Sequence, residues 1–200
     1  MRGMKTNEER PIEQHPLGFF LPPDARLLML GSFPPKRERW SMDFYYPNFT
    51  NDMWRIFGLV FFGDRDHFLL PAGKPFDRER IVEFLTEKGI ALGDTAHEVV
   101  RLKDNASDAF LQVVTPVDLP GTLARIPHCE ALVTTGQKAT DTLLTLIDAA
   151  EPKVGGHSEF VFGERPMRFY RMPSSSRAYP KPLSEKAVAY RAMFEDLGMV

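Results

Sequence analysis

Residues 26–54 read RLLMLGSFPPKRERWSMDFYYPNFTNDMW, and this stretch decides the fold class. After Arg26, a continuous apolar run ends at Gly31, which is the pattern of a short buried strand. A long basic and aromatic loop follows and leads into apolar residues with helical spacing from Met53 onward. Loops that only join two elements are usually shorter than this. We therefore expect the loop to line a functional site.

The same alternation of strands and helices continues along the chain. Short apolar runs predict strands over 89–94, 130–136, 159–163 and 167–172, and amphipathic patterns predict helices over 50–61, 77–89, 137–150 and 184–198. Strands that alternate with helices favour a three-layer α/β/α sandwich around a short, mostly parallel central sheet. We expect a single domain over residues 1–200, in which residues 1–20 form an irregular leader.

Composition narrows the class of protein. The chain is 43% hydrophobic and 26% charged, as in ordinary globular proteins. It has neither an apolar run long enough to span a bilayer nor a signal-peptide core, so we expect a cytoplasmic protein without a membrane partner. We also expect a monomer. The lone Cys129 excludes an intramolecular disulfide, and the five histidines lack metal-ligand spacing. We expect no metal and no cofactor.

The charge distribution leaves nucleic acid open as a partner. The net charge of −2 argues against nonspecific binding to a polyanion, yet residues 165–200 hold seven Lys or Arg against three acids. Lys36, Arg37 and Arg39 form a second basic group. Two local basic groups can meet a phosphate backbone on one face, although ordinary solvated charges would give the same pattern.

Three predicted strands end in unusual residues. These ends are Gly31-Ser32-Phe33-Pro34, Gly93-Asp94-Thr95 and Pro173-Ser174-Ser175-Ser176. Sites in parallel sheets lie beyond the carboxyl ends of the strands, so the three ends predict a single cleft. Gly, Pro and Ser also occur at strand ends simply as turn residues.

The loop after the first strand suits a planar ligand. Exposed Tyr45 and Tyr46 beside Asn51 could stack on a base extruded from a duplex and read its edge. The alternative is that the tyrosines belong to the core and Asn51 caps a helix. Asp94 could read ring N–H groups or cap a turn. Serine hydroxyls suit a phosphate, and Arg177 adds charge without base specificity.

Five short stretches, in chain order, carry a family resemblance. They are LPPDARLLMLGSFPP (21–35), YYPNFTNDMWRIFG (45–58), GIALGDTAHEVVR (89–101), ALVTTGQKA (131–139) and MPSSSRAYP (172–180). Together they resemble the uracil-DNA glycosylase superfamily, and they are most similar to the branch with the hypoxanthine-DNA glycosylases and the mismatch-type uracil glycosylases. The resemblance implies the fold of that superfamily and DNA containing a damaged base as the partner.

The resemblance also implies roles for individual residues. Tyr46 matches the aromatic residue that stacks on the extruded base, and Asp94 with the main chain near Phe33 matches the group that reads the base. Asn51 matches the asparagine near the glycosidic bond, with Asp52 as the less favoured alternative for holding water. The resemblance implies that Ser174, Ser175 and Ser176 contact the DNA backbone and that Tyr179 or Arg177 fills the vacated stack. We also expect Ser32 and the basic Lys36 to contact DNA.

The chain departs from the family pattern at three positions. Phe33 stands where the superfamily commonly has Asp or Asn, Met172 stands where its best-known members have His, and Asp94 replaces the asparagine of the uracil-specific members. The expected function is monofunctional excision of uracil or hypoxanthine from DNA by hydrolysis of the N-glycosidic bond. The alternatives are a DNA- or nucleotide-binding protein with weak or no activity, and a small-molecule hydrolase that uses the same cleft.

Overall fold

The structure, a computed structural model, describes residues 10–103 and 107–200. The strands are β1 (Glu13–Gln14), β2 (Leu27–Gly31), β3 (Ile90–Asp94), β4 (Ala96–Arg101), β5 (Leu111–Pro116), β6 (Ala131–Thr135), β7 (His157–Phe162) and β8 (Arg165–Met172). The α-helices are α1 (Met53–Phe62), α2 (Arg78–Lys88), α3 (Leu119–Ala124), α4 (Gln137–Leu143) and α5 (Leu183–Asp196). Within residues 10–103 and 107–200, no helix is both long enough and apolar enough to cross a bilayer.

The central sheet has the strand order β3-β2-β6-β8-β7. β2 pairs in parallel with β3 and β6, β6 pairs in parallel with β8, and only the edge strand β7 is antiparallel. Every residue of β2, β3 and β6 is buried, as expected for parallel strands that are covered on both faces. The prediction of a mostly parallel central sheet is confirmed.

Helices cover both faces of this sheet, because alternate side chains of β2 enter two separate apolar cores. Leu27 and Met29 pack in a core with residues of α1, α2 and α5. Leu28 and Leu30 pack in the opposite core with residues of α3 and α4. The alternation follows from the two-residue side-chain period of a strand. The predicted three-layer α/β/α sandwich is therefore confirmed.

A second, three-stranded antiparallel sheet lies outside the sequence prediction. Its strand order is β1-β4-β5. β4 and β5 were not predicted because exposed and half-buried polar residues such as His97 and Glu98 interrupt the apolar pattern. β1 falls within the leader predicted to be irregular; its two residues pair with β4. Residues 1–9 of the leader lie outside the described residues.

The helix boundaries follow local chemistry. Asp77 caps α2 by accepting the Arg80 N–H, and Gly89 ends that helix with a left-handed φ of 69°, at the two ends of the predicted helix 77–89. In contrast, α4 ends at Leu143 rather than near residue 150. The hydroxyls of Thr140 and Thr142 donate to carbonyls four residues earlier, an arrangement that slightly destabilises a helix. Short α4 nevertheless begins at Gln137, as predicted.

Candidate functional site

A cavity of about 590 Å³ lies at the carboxyl ends of the central strands. Three strand ends contribute to its wall, with Gly31 at the end of β2, Asp94 at the end of β3 and Ser174 just after β8. The predicted single cleft is therefore confirmed. The wall residues that bear on function are Ser32, Phe33, Arg39, Tyr45, Tyr46, Asn51, Arg101, Asp108, Thr135, Ser176, Arg177 and Tyr179.

Asp94 is held at this cavity by a buried histidine. The His15 Nε2 atom lies 2.6 Å from Asp94 Oδ2, and the two side chains are only 7% and 8% exposed. Gly31 pairs with Asp94 in the sheet, and a Cβ atom on Gly31 would lie 2.5 Å from Asp94 Oδ1. Only glycine leaves space for the carboxylate there. His15 comes from the N-terminal leader, and sequence reasoning missed it.

The electrostatics of this pair favour a charged imidazole. Burial lowers the pKa of His15, but the hydrogen bond to Asp94, its negative charge and the bond to the Leu17 carbonyl raise that pKa more. The net pKa therefore lies above the ordinary value of 6.5. The Nδ1 atom lies 2.8 Å from the Leu17 oxygen and also 3.1 Å from the Leu17 nitrogen, whose N–H can donate to it when the ring is neutral. Tyr45 stacks on the ring and Phe33 meets its edge.

Tyr46 is the predicted stacking residue, and its backbone is unusual. Its φ of 50° is the only positive value for a non-glycine residue within the two described ranges. A bulky residue in this region is strained, and such strain concentrates at functional sites. The phenol oxygen lies 3.2 Å from Thr135 Oγ1, and the ring meets Trp54 edge-on. Burial raises the pKa of Tyr46 far above its ordinary value, so the hydroxyl stays protonated.

The two predicted catalytic residues occupy different surroundings. Asn51 borders the cavity, and its Oδ1 accepts the Met53 N–H at 2.9 Å at the start of α1. Asn51 therefore caps the first turn of α1, which was the alternative to a functional role, and it also lies on the cavity wall. Asp52 is buried and is not among the residues that border the cavity. Its two oxygens bind Arg177 and Lys186, each at 3.0 Å.

The serine loop is anchored from behind by this ion network. Lys186 is fully buried, and its Nζ donates to Asp52 and to the Ser176 carbonyl. The Ser175 carbonyl accepts the Asp52 N–H at 2.9 Å, and Ser175 itself is buried. Ser174 and Ser176 border the cavity instead. The three serines predicted to contact DNA thus divide into two on the cavity wall and one behind it.

Cationic side chains from both predicted basic groups meet at this site. Exposed Arg39 and Arg177 border the same cavity although 138 positions separate them (177 − 39). Arg37 instead forms an ion pair with Asp43 at 2.6 Å and lies over the Trp40 ring. Lys36 is half-buried at the start of the Arg37–Arg39 turn and does not border the cavity. Basic side chains can therefore contact a ligand at the rim.

The structure also brings an unexpected carboxylate to the cavity. Asp108 lies in a short 3-10 turn, Asp108–Phe110, between β4 and β5. It borders the cavity and is hydrogen-bonded to the Ser32 side chain. A polar turn near this position was visible in the sequence, but nothing there indicated which strand end it would meet. Within residues 10–103 and 107–200, no group of three or more His, Cys, Asp or Glu side chains could hold a metal ion.

We predict that replacing Lys186 destabilises the protein strongly. Lys186→Met leaves the buried Asp52 carboxylate with Arg177 as its remaining cation, and breaking a buried ion pair costs about 3 kcal/mol. Urea unfolding would measure the change in the free energy of unfolding. The matched control is Lys153→Met at an exposed position, which should leave stability nearly unchanged. Equal stability of the two variants would contradict the network's structural role.

We predict that the His15–Asp94 pair makes stability depend on pH. Because the pKa of His15 is raised in the folded state, the pair stabilises the fold fully below about pH 6.5, the ordinary pKa of histidine. This stabilisation is lost as the pH rises through the folded-state pKa. The difference in unfolding free energy between wild type and His15→Gln should be larger at about pH 6 than at about pH 9. The exposed His97→Gln variant should show no such trend. A difference independent of pH would contradict the charged pair.

Comparisons with known proteins bear on the fold. No protein-family model matches the sequence, and no curated protein matches it at a significant level. A solution NMR structure from Methanosarcina acetivorans, of a protein provisionally named a uracil DNA glycosylase, is 22% identical with a TM-score of 0.59. The alignment covers 92% of this chain and 99% of that one. The chain therefore has a uracil-DNA-glycosylase-like fold, with helices on both faces of a mostly parallel central sheet.

Proposed function

We propose that the protein is a monofunctional DNA glycosylase that removes a deaminated base, uracil or hypoxanthine, from DNA. One observation carries the proposal: a single cavity joins the Tyr46 ring, the Asp94 carboxylate and a serine-rich, cationic loop. Its volume of about 590 Å³ is within the range of small-ligand pockets and suits an extruded nucleoside. An α/β fold alone would not support this function, since function resides in the site.

The base would be held by stacking and read by hydrogen bonds. Tyr46 supplies the aromatic face, as in other enzymes that act on extruded bases. A carboxylate only accepts hydrogen bonds, so Asp94 selects a base with a ring N–H at this edge, a group that uracil and hypoxanthine both carry. Main-chain groups near Phe33 complete the reading. When His15 is protonated, its charge offsets the Asp94 charge, which would otherwise repel a base that leaves as an anion.

The DNA backbone would cross the rim of the cavity. Ser174 and Ser176 offer hydroxyls, and Arg177 offers a cation that remains 55% exposed while it binds Asp52. Ser32 borders the cavity and Lys36, outside it, adds a further backbone contact, whereas buried Ser175 supports the loop from behind. Tyr179, half-buried at the rim, would fill the space that the extruded base leaves. Extrusion costs a few kcal/mol, which such an insertion offsets.

Hydrolysis would pass through a sugar with oxocarbenium character, by analogy with glycoside hydrolysis. We assign the water to Asn51 rather than to Asp52, because Asn51 borders the cavity and both Asp52 oxygens bind cations. No lyase step is expected from Lys186, since its amine is buried and donates to Asp52. This supports a monofunctional reaction without a Schiff base.

A second function is favoured by two apolar residues. Phe33 and Met172, 8% and 1% exposed, occupy positions that are polar in the family that the sequence resembles. A protein with this site could recognise DNA or a nucleotide without cutting it. Duplexes with uracil, hypoxanthine or xanthine, incubated with the protein and then cleaved with alkali, separate the two functions. Abasic sites support the glycosylase; salt-sensitive binding without abasic sites on any duplex supports the binding protein.

We predict that Asn51→Ala lowers the excision rate by about 100-fold, because the attacking water loses its positioning group. The measurement is single-turnover excision on the duplex that gives abasic sites. Asn51→Ser, which retains an oxygen that can accept the Met53 N–H, separates the capping role from the water role. Both variants should bind the lesion duplex like wild type. Full activity of either variant would remove Asn51 from the mechanism.

A further inference from the structure

The proposed reaction needs a proton acceptor that Asn51 cannot provide. An amide orients water, but it is too weak a base to take a proton from it. Phe33 offers no polar atom at the strand end where the resembled family commonly has a carboxylate or an amide. Of the other acids near the site, Asp52 is bound by two cations and Asp94 by His15. The base must come from elsewhere in the cavity.

Asp108 reaches the cavity from a separate element. The β4–β5 connection brings its short turn against the end of β2, where Asp108 hydrogen-bonds the Ser32 side chain. Ser32 directly precedes Phe33, so the carboxylate lies beside the position whose own side chain is apolar. Asn51 borders the same cavity. A carboxylate accepts several hydrogen bonds, so the bond from Ser32 still allows it to bind a water.

The surroundings of Asp108 suit a base. The pKa of Asp108 is raised, chiefly by burial and also by the charge of Asp94. The hydrogen bond from Ser32 and the charges of Lys138 and Arg101 lower this pKa, but by less. The charge of Asp108 also contributes to the raised pKa of Tyr46. Arg101 is itself occupied, with bonds to Glu13 at 2.9 Å and to the Pro34 carbonyl at 2.8 Å. A carboxylate with a raised pKa is a stronger base than an exposed aspartate.

We propose, building on the glycosylase function above, that Asp108 is the catalytic base that activates the water held by Asn51. The C1′–N bond breaks and its electron pair leaves with the base. The water oxygen bonds to C1′ while one water proton passes to the Asp108 carboxylate. The departing base takes up one proton from solvent and Asp108 later returns its proton to solvent, so the products are an abasic sugar and the free base.

The test compares Asp108→Asn with wild type in single-turnover excision across about pH 5 to 9. The amide keeps the size of the side chain and an oxygen for the Ser32 bond, so folding and lesion-DNA affinity should persist. We expect a loss of about 100-fold or more in rate. The wild-type rate should fall as the pH drops through the Asp108 pKa, and Asp108→Asn should lose that dependence. Asp108→Glu, which keeps a carboxylate, should retain more activity than Asp108→Asn.

The matched control is Asp148→Asn, an exposed aspartate at which excision should equal that of wild type. Suppose that the wild-type protein excises the base and that Asp108→Asn is equally active or has the same pH profile. This result would overturn the assignment of Asp108 as the base and leave the glycosylase function intact. Absence of abasic sites with the wild-type protein on every duplex would overturn both. If Asp108→Asn melts early, its affinity for lesion DNA shows whether the cavity is intact. If Asp108→Asn loses its affinity for lesion DNA while its excision rate keeps the wild-type pH profile, Asp108 has a structural role and is not the catalytic base.

Discussion

The parallel register between β2 and β3 is the constraint on which the site depends. It places Gly31 opposite Asp94 at the edge where the strands end. Because glycine has no Cβ, the carboxylate can occupy the space beside the backbone, where a methyl group would lie 2.5 Å from its oxygen. A shift of one residue in this register would turn Asp94 to the other face of the sheet. The cavity wall would then lose its principal acceptor.

Buried charge organises the rest of the site in pairs. His15 compensates Asp94 on one side, and Lys186 with Arg177 compensates Asp52 on the other. Isolated buried charges are costly, and each of these carboxylates has a partner that a different element supplies. The second network joins the start of α1 to the serine loop and to α5. That linkage holds Asn51 and the serine loop on the same wall of the cavity.

The apolar replacements at Phe33 and Met172 change where polar chemistry can come from. Phe33 packs in a small apolar core with Ala96, Val99 and Leu111 of the antiparallel sheet. The same packing brings β4, β5 and the Asp108–Phe110 turn close to the end of β2. The element that buries the apolar side chain therefore also delivers the Asp108 carboxylate. On this interpretation, a polar group absent from one strand end is supplied by a neighbouring hairpin.

The sequence alone predicts the layered α/β fold and the meeting of three strand ends, because apolar periodicity, caps and terminal glycines are local signals. It also indicated Tyr46, Asn51 and Asp94 as neighbours of one cleft, and all three border it. Three contacts could not be predicted and are seen only in the folded chain: His15 with Asp94, Asp52 with Lys186 and Arg177, and Asp108 with Ser32. These contacts join residues 79, 134 and 76 positions apart (94 − 15, 186 − 52 and 108 − 32). Such pairings are set by how the sheets pack, which no local pattern of residues encodes.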